Sequence, residues 1–234
     1  GPIIVAYADT LLRTDLTLDP TVDGMIWVKK VENPKAYGVV KMDHKNQITA
    51  LVEKPQEFVS DLAVIGIYYF KEGEVIKAEL DKSMASARAE GEEFLLNEGI
   101  LSMMKKGAVF TPGAVKEWMD CGNPKITLET NTKMLEILTE EGNKLVAEDV
   151  ILENSKIIPP CSIGSGVVLK NATVGPHSAI GEGTRIENST VSSSLVQKNS
   201  LIQNAQLEGA MIGNHVHYDG KHKFVNIGDY SELS

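Results

Sequence analysis

The strongest constraint on the fold is a repeat of about six residues in the second half of the chain. From residue 150 onward, apolar residues recur mostly five or six positions apart, and several precede a glycine, as in Ile163-Gly164, Ile180-Gly181 and Ile212-Gly213. Neither a helix nor an alternating strand has this period. The period is typical of a solenoid, in which short flat strands stack and each apolar residue points into a shared core.

The first half of the chain has apolar patterns that predict an α/β region. The run Ile3-Ile4-Val5-Ala6-Tyr7 has the length and branching of a strand buried on both faces. Apolar spacing and the Gly and Pro residues that interrupt it predict the other elements. These are strands at residues 25–28, 62–70 and 109–118, a hairpin of residues 37–42 and 48–53, and helices at 74–89, 94–106 and 124–142.

Two aspartates stand where strands are predicted to end. Asp9 follows the first apolar run, and Asp120 precedes Gly122 after a second apolar stretch. Open α/β sheets bind ligands at the carboxyl ends of their strands. Two carboxylates brought together there would repel each other unless a cation lay between them, and Mg²⁺ with phosphate oxygens is the usual partner. Taken singly, an Asp in such a position is more often the cap of a turn or a helix.

Composition limits the classes of function. The formal charge of −9 argues against nucleic acid as a partner, because nucleic acid is bound by clustered Lys and Arg. No window approaches the length of a membrane span. The two cysteines are too few for a disulfide framework or a zinc site and indicate a reducing compartment. We therefore expect a cytoplasmic protein that binds neither nucleic acid nor membrane.

Five motifs occur in order within the first 122 residues and together resemble one family. They are Ala8-Asp9, Tyr37-Gly38-Val39, Glu53-Lys54-Pro55, the run 60–68 (SDLAVIGIY) with Glu93 after it, and Trp118-Met119-Asp120-Cys121-Gly122. This order and spacing resemble the sugar-phosphate nucleotidyltransferases, also called NDP-sugar pyrophosphorylases, a family that includes enzymes of the glucose-1-phosphate thymidylyltransferase type. The repeats of the second half resemble the hexapeptide-repeat, left-handed parallel β-helix, which is a known companion of that catalytic domain.

The resemblance implies a reaction and a set of site residues. The reaction transfers a nucleotidyl group from a nucleoside triphosphate to a sugar 1-phosphate, with Mg²⁺ as cofactor. Asp9 and Asp120 would bind the metal, and Lys54 would contact the sugar phosphate. The sugar would contact Gly38, Glu53, Asp61 and Glu93, with Trp118 beside it. The sequence does not identify the nucleotide base or the sugar.

The sequence departs from the family pattern at three places. The family usually has Gly where Ala8 stands and Asn where Asp61 stands, so Asp61 adds negative charge beside an anionic substrate. The glycine-rich loop that binds the nucleotide in this family lies upstream of the Asp9 strand and is absent from this sequence. We therefore expect an amino-terminal segment to be missing, and we expect this chain alone to be inactive.

These patterns predict the fold class and the domains. The chain is predicted to be α/β, with a partial Rossmann-like nucleotidyltransferase domain followed by a left-handed parallel β-helix. The predicted domains are a truncated catalytic domain at residues 1–145, a β-helix at 146–218 and a tail at 219–234. Flat solenoid flanks associate readily, so we expect a homo-oligomer.

A second functional class remains open from the sequence. His177 resembles the base of β-helix acyltransferases, and the solenoid would alternatively serve as a non-catalytic assembly or regulatory module. A lone His at a solenoid corner is more often simply solvated. His215 and His217, with Asp219 and His222, have a spacing compatible with a metal, although an exposed loop is the simpler interpretation.

Overall fold

The structure, a computed structural model, describes residues 1–85, 95–220 and 225–233. It divides into two compact units, residues 1–119 and 120–234, which we call the first and second units. The predicted domain boundary near residue 145 stays a prediction. The helix that begins at Pro124 belongs to the second unit, together with the solenoid.

The first unit contains a mixed sheet and two described helices. Its helices are α1 (Gly73–Met84) and α2 (Leu96–Lys105), and a 3₁₀ turn spans Pro34–Ala36. No helix in the described ranges is long and apolar enough to cross a membrane. The strands are β1 (Ile3–Ala6), β2 (Thr10–Arg13), β3 (Gly24–Lys30), β4 (Val39–Met42), β5 (Ile48–Val52), β6 (Leu62–Phe70), β7 (Phe110–Ala114) and β8 (Glu117–Asp120).

Strand β6 is the centre of this sheet. The order is β5-β4-β6-β3-β7, with β1 also paired to β6, while β2 and β8 form a separate two-stranded sheet. Only β3 and β7 run parallel, and the other described pairs of the main sheet are antiparallel. The predicted hairpin and the predicted strand at residues 62–70 are both confirmed.

Both faces of the sheet are covered by apolar side chains. Alternate residues of β3 point to opposite faces, so Ile26 packs in the cluster with helices α1 and α2, and Trp27 packs in the cluster on the other face. Gly113 of β7 lies against the Trp27 indole, where a Cβ would come within 2.5 Å of Nε1. The sheet is therefore anchored from both sides.

The prediction that the first apolar run is buried on both faces is wrong. Strand β1 pairs only with β6 among the described strands, and Ile3 and Ile4 are 40% and 51% exposed. A run of branched apolar residues predicted a strand correctly, but it did not reveal that the strand has a neighbour on one side only.

The predicted strand at residues 109–118 is two strands. Strand β7 continues the main sheet beside β3, whereas β8 pairs with β2. At the break between them, the carbonyl oxygens of Val115 and Lys116 accept hydrogen bonds from Lys29 Nζ at 3.4 and 2.6 Å. A side chain thus replaces strand pairing where the chain changes sheets.

The second unit begins with a capped helix and continues as a parallel β-helix. Helix α3 (Pro124–Glu140) has Asn123 as its N-cap, and the Asn123 side chain accepts a hydrogen bond from the Ile126 amide. The predicted helix is thus confirmed. The solenoid strands are β9 (Ile151–Glu153), β10 (Lys156–Ile157), β11 (Cys161–Ile163), β12 (Val168–Lys170), β13 (Thr173–Val174), β14 (Ser178–Ile180), β15 (Arg185–Glu187), β16 (Thr190–Ser192), β17 (Leu195–Val196), β18 (Leu201–Gln203), β19 (Gln206–Glu208), β20 (Met211–Ile212), β21 (His217–Asp219), β22 (Asn226–Ile227) and β23 (Glu232–Leu233).

The coils are slightly shorter than three strict hexads. Ile151 pairs with Val168, 17 residues later, and Arg185 pairs with Leu201, 16 residues later. The five-residue gaps of the sequence produce these short coils. Strands β22 and β23 add to two of the three parallel sheets, so residues that the sequence assigned to a tail continue the solenoid.

Glycine follows the buried apolar residue because neighbouring coils approach closely there. A Cβ on Gly164 would lie 2.7 Å from the backbone nitrogen of Glu182, and a Cβ on Gly181 would lie 2.6 Å from that of Lys198. Neither glycine needs a left-handed backbone. Absence of a side chain, rather than backbone freedom, is what these corners require.

This packing predicts the effect of a single methyl group at a coil corner. Gly181→Ala should lower the free energy of unfolding by about 1–3 kcal/mol, because the added Cβ meets the backbone of the next coil. Gly228→Ala is the control, since nothing lies within 4 Å of a Cβ there. Denaturant unfolding of both variants measures the difference. Equal stability of the two variants would contradict the close approach.

Helices α1 and α2 are joined by a largely buried acid. The Glu79 carboxylate accepts a hydrogen bond from Ser102 at 2.6 Å and pairs with Lys82 at 2.7 Å and with Lys106. Hydrogen bonds from Lys106, Lys82 and Ser102 lower the pKa of Glu79 to about 2. The ionised form of Glu79 therefore contributes to the stability of the folded chain.

The direction of the Glu79 pKa shift sets the pH dependence. Because the folded pKa is depressed, the stabilisation is present above the ordinary pKa of 4.5 and is lost as the pH falls toward about 2. Glu79→Gln should therefore lower the thermal midpoint at pH 7, and the deficit should shrink in acid. Asp81→Asn, which removes an exposed pair with Lys77, should change little. A deficit that persists unchanged down to pH 2 would argue against this role for Glu79.

Candidate functional site

The candidate site lies where two strands share one edge of β6. Strand β3 pairs with both ends of β6 along the other edge, with a register shift between Ile26 and Val28, so β4 and β1 occupy the same remaining edge. The β4 pairing reaches Ala63 of β6, and the β1 pairing stops at Ile67. Between these two pairings, residues 64–66 of β6 have no strand partner on this edge, and we call this gap between β1 and β4 the opening.

The turn that carries Asp9 lies directly on this edge of β6. The Tyr7 amide donates to the Gly66 carbonyl at 2.9 Å, and the Thr10 hydroxyl donates to the Ile65 carbonyl at 3.0 Å. Gly66 has a φ of 80°, and a Cβ there would lie 2.9 Å from the Tyr7 ring. Gly66 thus permits both the local backbone and the close approach of the turn. Asp9 itself is exposed to solvent.

Tyr68 links the Asp9 turn to the other side of the opening. Its ring lies 5.7 Å from that of Tyr7, and the two hydroxyl groups are hydrogen-bonded. Burial is the main cause that raises the pKa of Tyr68, and the charge of the Glu53 carboxylate raises it further. Tyr68 therefore stays protonated at neutral pH. It is a neutral hydrogen-bonding group that is close enough to Glu53 for the carboxylate charge to affect its pKa.

Gly38 and Glu53 meet on the far side of the opening. The Gly38 carbonyl accepts a hydrogen bond from the Val64 amide of β6 at 2.8 Å. A Cβ on Gly38 would lie 2.8 Å from Glu53 Oε2, so glycine leaves the space that this carboxylate occupies. Glu53 Oε2 also accepts a hydrogen bond from Asn97 Nδ2 at 3.0 Å. The sequence predicted Gly38 and Glu53 as neighbours of one substrate, and the structure brings them together.

Lys54 has an unusual backbone conformation. Its φ is 41°, which is uncommon for a residue with a side chain, and its amide donates to the Tyr37 carbonyl at 3.1 Å. Pro55, which is buried, follows directly. Conformations of this kind are retained when the surrounding structure requires them, and they are frequent at functional sites. The Lys54 side chain is exposed.

Trp118 lies beside the same segment. Its ring meets Tyr37 edge to face, with centroids 5.1 Å apart. The indole Nε1 is buried and has no hydrogen-bond partner within the described part of the chain. Buried indole nitrogens usually find a partner, so this donor is a candidate contact for a bound molecule.

Asp120 is the last residue of β8 and the first of the second unit. Its backbone carbonyl accepts a hydrogen bond from Thr130 of α3 at 2.6 Å, and its Oδ1 accepts one from the Gly122 amide at 2.9 Å. The described hydrogen bonds of this side chain involve Oδ1 alone. The residue is thus fixed at the start of the segment that leads into α3.

The chemistry of the two acids fits a divalent cation. In the described ranges, no group of three or more His, Cys, Asp or Glu residues lies close enough to hold a metal ion. Mg²⁺ does not need such a group, because it is usually held by one or two carboxylates together with water and substrate phosphates. Asp9, which is exposed, and Asp120, which is partly exposed, provide oxygen ligands of that kind.

The structure gives the predicted sugar contact Asp61 a partner within the protein. The Asp61 carboxylate pairs with Lys30 at 2.9 Å, and its hydrogen bond raises the pKa of Lys30. Glu93 lies outside the described residues. Sequence reasoning missed Gly66, Tyr68 and Asn97. The only available signal was the glycine inside the strand pattern of residues 62–70, which is typical of a close backbone approach.

The histidines of the second unit have structural partners. His177 Nε2 lies 3.1 Å from a carboxylate oxygen of Glu136 in α3, and the His177 carbonyl accepts a hydrogen bond from Asn131. His215 stacks on Tyr230 at 4.9 Å, and His217 Nε2 lies 3.3 Å from Gln203 Oε1. His222 lies outside the described residues. Each of these described histidines thus has a contact within the fold.

Comparison with known proteins gives the family. The family model for nucleotidyl transferases matches residues 7–137, more than half of the chain. The chain belongs to the nucleotidyl transferase family. A glucose-1-phosphate thymidylyltransferase of Streptomyces antibioticus is 29% identical over 230 residues, covering 89% of this chain and 62% of that protein. A mannose-1-phosphate guanylyltransferase catalytic subunit beta of Drosophila pseudoobscura pseudoobscura is 32% identical over 150 residues, covering 62% of this chain and 36% of that protein.

A solved family structure is also similar over part of the chain. The nucleoside-diphosphate-sugar pyrophosphorylase of Vibrio cholerae RC9 matches with a TM-score of 0.47 and 22% identity, covering 55% of each chain. The present chain thus spans between about a third and two thirds of the length of these nucleotidyl transferase relatives.

The role of Gly66 predicts a large effect of a small substitution. Gly66→Ala should lower the free energy of unfolding by about 1–2 kcal/mol for the left-handed backbone, and by about 1–3 kcal/mol more for the clash with Tyr7. Gly107→Ala is a matched control, because Gly107 also has a positive φ but has nothing within 4 Å of a Cβ. Denaturant unfolding compares the two. If Gly107→Ala lowers the free energy of unfolding as much as Gly66→Ala does, the clash with Tyr7 does not contribute to the loss.

Proposed function

We propose that this chain provides the sugar-1-phosphate half of an enzyme that transfers a nucleotidyl group from a nucleoside triphosphate to a sugar 1-phosphate. The products are an NDP-sugar and pyrophosphate. The observation that carries the proposal is the opening on β6, which gathers the Asp9 turn, Gly38 and Glu53 around one space. The names of the relatives, a glucose-1-phosphate thymidylyltransferase and a mannose-1-phosphate guanylyltransferase, support the same reaction class.

Mg²⁺ is the proposed cofactor, with Asp9 and Asp120 as its protein ligands. When bound, the ion would neutralise phosphate charge and align the two substrates. Two facts support this pair of ligands. Asp9 directly precedes β2 and Asp120 ends β8, and these two strands form one sheet.

The remaining residues would bind and orient the sugar phosphate. Lys54 would contact the phosphate, because its side chain is exposed and its backbone is fixed next to Glu53. Glu53 would accept hydrogen bonds from sugar hydroxyl groups, and Trp118 would flank the ring. Asp61 and Glu93 stay proposed sugar contacts. No protein nucleophile is required, since the sugar phosphate itself is the attacking group.

The proposal also includes the cellular setting. An acidic metabolic enzyme with two cysteines is expected to act in the cytoplasm, on small phosphorylated substrates. The parallel solenoid offers flat outer faces, which supports a homo-oligomer. The nucleotide base and the sugar are not assigned.

A binding experiment on the 234-residue chain tests the sugar-phosphate site directly. We expect glucose 1-phosphate to bind in the presence of Mg²⁺ and to bind at least about tenfold more weakly when the metal is chelated. Asp120→Asn should lose this metal dependence, while Glu129→Gln, which removes an exposed charge from α3, should keep it. NMR titration of isotope-labelled protein measures the affinity of the unmodified chain and of both variants, with and without Mg²⁺. Metal-dependent binding that survives in Asp120→Asn would remove this residue from the metal site.

Under this proposal turnover also requires a nucleotide-binding segment, so it is tested in a protein that carries such a segment together with this chain. Asp120→Asn should lower kcat by at least about 100-fold there, because it removes charge stabilisation of the reacting phosphates. A coupled assay for pyrophosphate measures the rate with several nucleoside triphosphates. Unchanged turnover in the variant would contradict the proposed metal site.

A further inference from the structure

The side-chain amide of Asn97, at the start of α2, has one polar atom with a hydrogen-bond partner and one without. Its Nδ2 donates to Glu53 Oε2 at 3.0 Å. Its Oδ1 is buried and has no hydrogen-bond partner among the described residues. Exchanging the two ends of the amide would place Oδ1 against the Glu53 carboxylate, so the assignment is fixed by chemistry. Buried polar atoms are nearly always paired, and an unpaired one calls for an explanation, such as a bound water or ligand.

Asn97 also fixes the carboxylate of Glu53. Glu53 Oε2 lies between the Asn97 amide and the α-carbon of Gly38, where no Cβ fits. The side chain of Glu53 is otherwise exposed and would have several rotamers. The hydrogen bond from Asn97 therefore selects one orientation of the group proposed to accept sugar hydroxyls.

The Glu53 carboxylate and the unpaired oxygen of Asn97 are both hydrogen-bond acceptors. The Glu53 carboxylate only accepts, and the unpaired atom of Asn97 is an amide oxygen, which also only accepts. A sugar hydroxyl or an ammonium group can donate to both. The carboxylate of a uronic acid carries negative charge and no proton at neutral pH, so it would face two acceptors and a like charge.

We propose that Asn97 is a specificity-determining residue, which orients Glu53 and accepts a hydrogen bond from a ring hydroxyl, so that neutral hexose 1-phosphates are selected over hexuronic acid 1-phosphates. This inference rests on the proposed sugar-1-phosphate function and names its substrate class. Asn97 acts in binding and contacts no reacting atom.

Two variants of the 234-residue chain test the inference by NMR titration with glucose 1-phosphate and glucuronic acid 1-phosphate. The unmodified chain should bind glucose 1-phosphate at least about tenfold more tightly. Asn97→Ala should weaken the binding of glucose 1-phosphate by about tenfold and leave the binding of glucuronic acid 1-phosphate nearly unchanged, so that selectivity between the two ligands falls. Asn46→Gly, at an exposed left-handed position of the hairpin loop, is the control and should change neither affinity.

Asn97→Asp separates a binding role from a structural one. It preserves shape and Oδ1 but replaces the donor to Glu53 with a second carboxylate. Affinity for glucose 1-phosphate should fall at pH 7.5, and the deficit relative to the unmodified chain at the same pH should shrink in acid, because protonation of one carboxyl removes the repulsion between the two. Thermal unfolding of each variant shows whether it is folded.

Three results would overturn the inference. They are equal affinity of the unmodified chain for both ligands, an unchanged preference in Asn97→Ala, and a loss in Asn97→Asp that does not depend on pH. In each case, binding of glucose 1-phosphate by the unmodified chain leaves the proposed function intact. If the unmodified chain bound neither ligand, both the inference on Asn97 and the proposed function would be overturned.

Discussion

The contact between the Tyr7–Thr10 turn and the left-handed backbone of Gly66 determines the form of the candidate site. Strand β1 runs along β6 only as far as Ile67, and the chain then turns away across Gly66. Because the chain turns here instead of continuing as a strand, no strand pairs with the edge of β6 between β1 and β4. A residue with a side chain at this position would push Tyr7 off the strand and would move Asp9 with it.

From this contact, a connected set of side chains leads across the opening. Tyr7 meets Tyr68, Tyr68 lies within the electrostatic reach of Glu53, and Glu53 is held by Asn97 and by the space that Gly38 leaves. Each of these residues lies in the first unit. The proposed metal ligand Asp9 and the proposed sugar ligand Glu53 both lie beside β6, so residues distant in sequence are placed where they would act on one substrate.

Patterns that depend on local geometry were predictable from sequence. The Ile-Gly pairs predicted a solenoid, because a buried apolar residue is followed by a close contact between coils at Gly164, Gly181 and Gly213. The strand at residues 62–70 was predictable because it is apolar on both faces, and apolar clusters do cover both faces of the sheet. The motif residues Gly38 and Glu53 were also predicted together, since the family resemblance carries information that composition lacks.

Features that depend on long-range partners were not predictable. The exposure of β1 follows from which strand lies beside it. At the break after Ala114, Lys29 donates hydrogen bonds to the carbonyl oxygens of Val115 and Lys116, which lie 86 and 87 residues away along the chain. From sequence alone, Tyr68 is interpreted as a core residue and Asn97 as an ordinary helix residue. Their proposed roles depend on contacts with residues distant in sequence, which the sequence does not show. Asp61 reads as a sugar contact, yet its charge is already paired with Lys30.

The central claim is that Asp9 and Asp120 bind one divalent ion beside the sugar-phosphate pocket. Paramagnetic broadening by Mn²⁺, used in place of Mg²⁺ with glucose 1-phosphate present, tests it most directly in NMR spectra of the 234-residue chain. The amide signals of Thr10 and Cys121, the neighbours of the two acids, should broaden together at the same low ion concentration. Broadening of only one of these signals, or of the two at clearly different ion concentrations, would contradict a shared metal site.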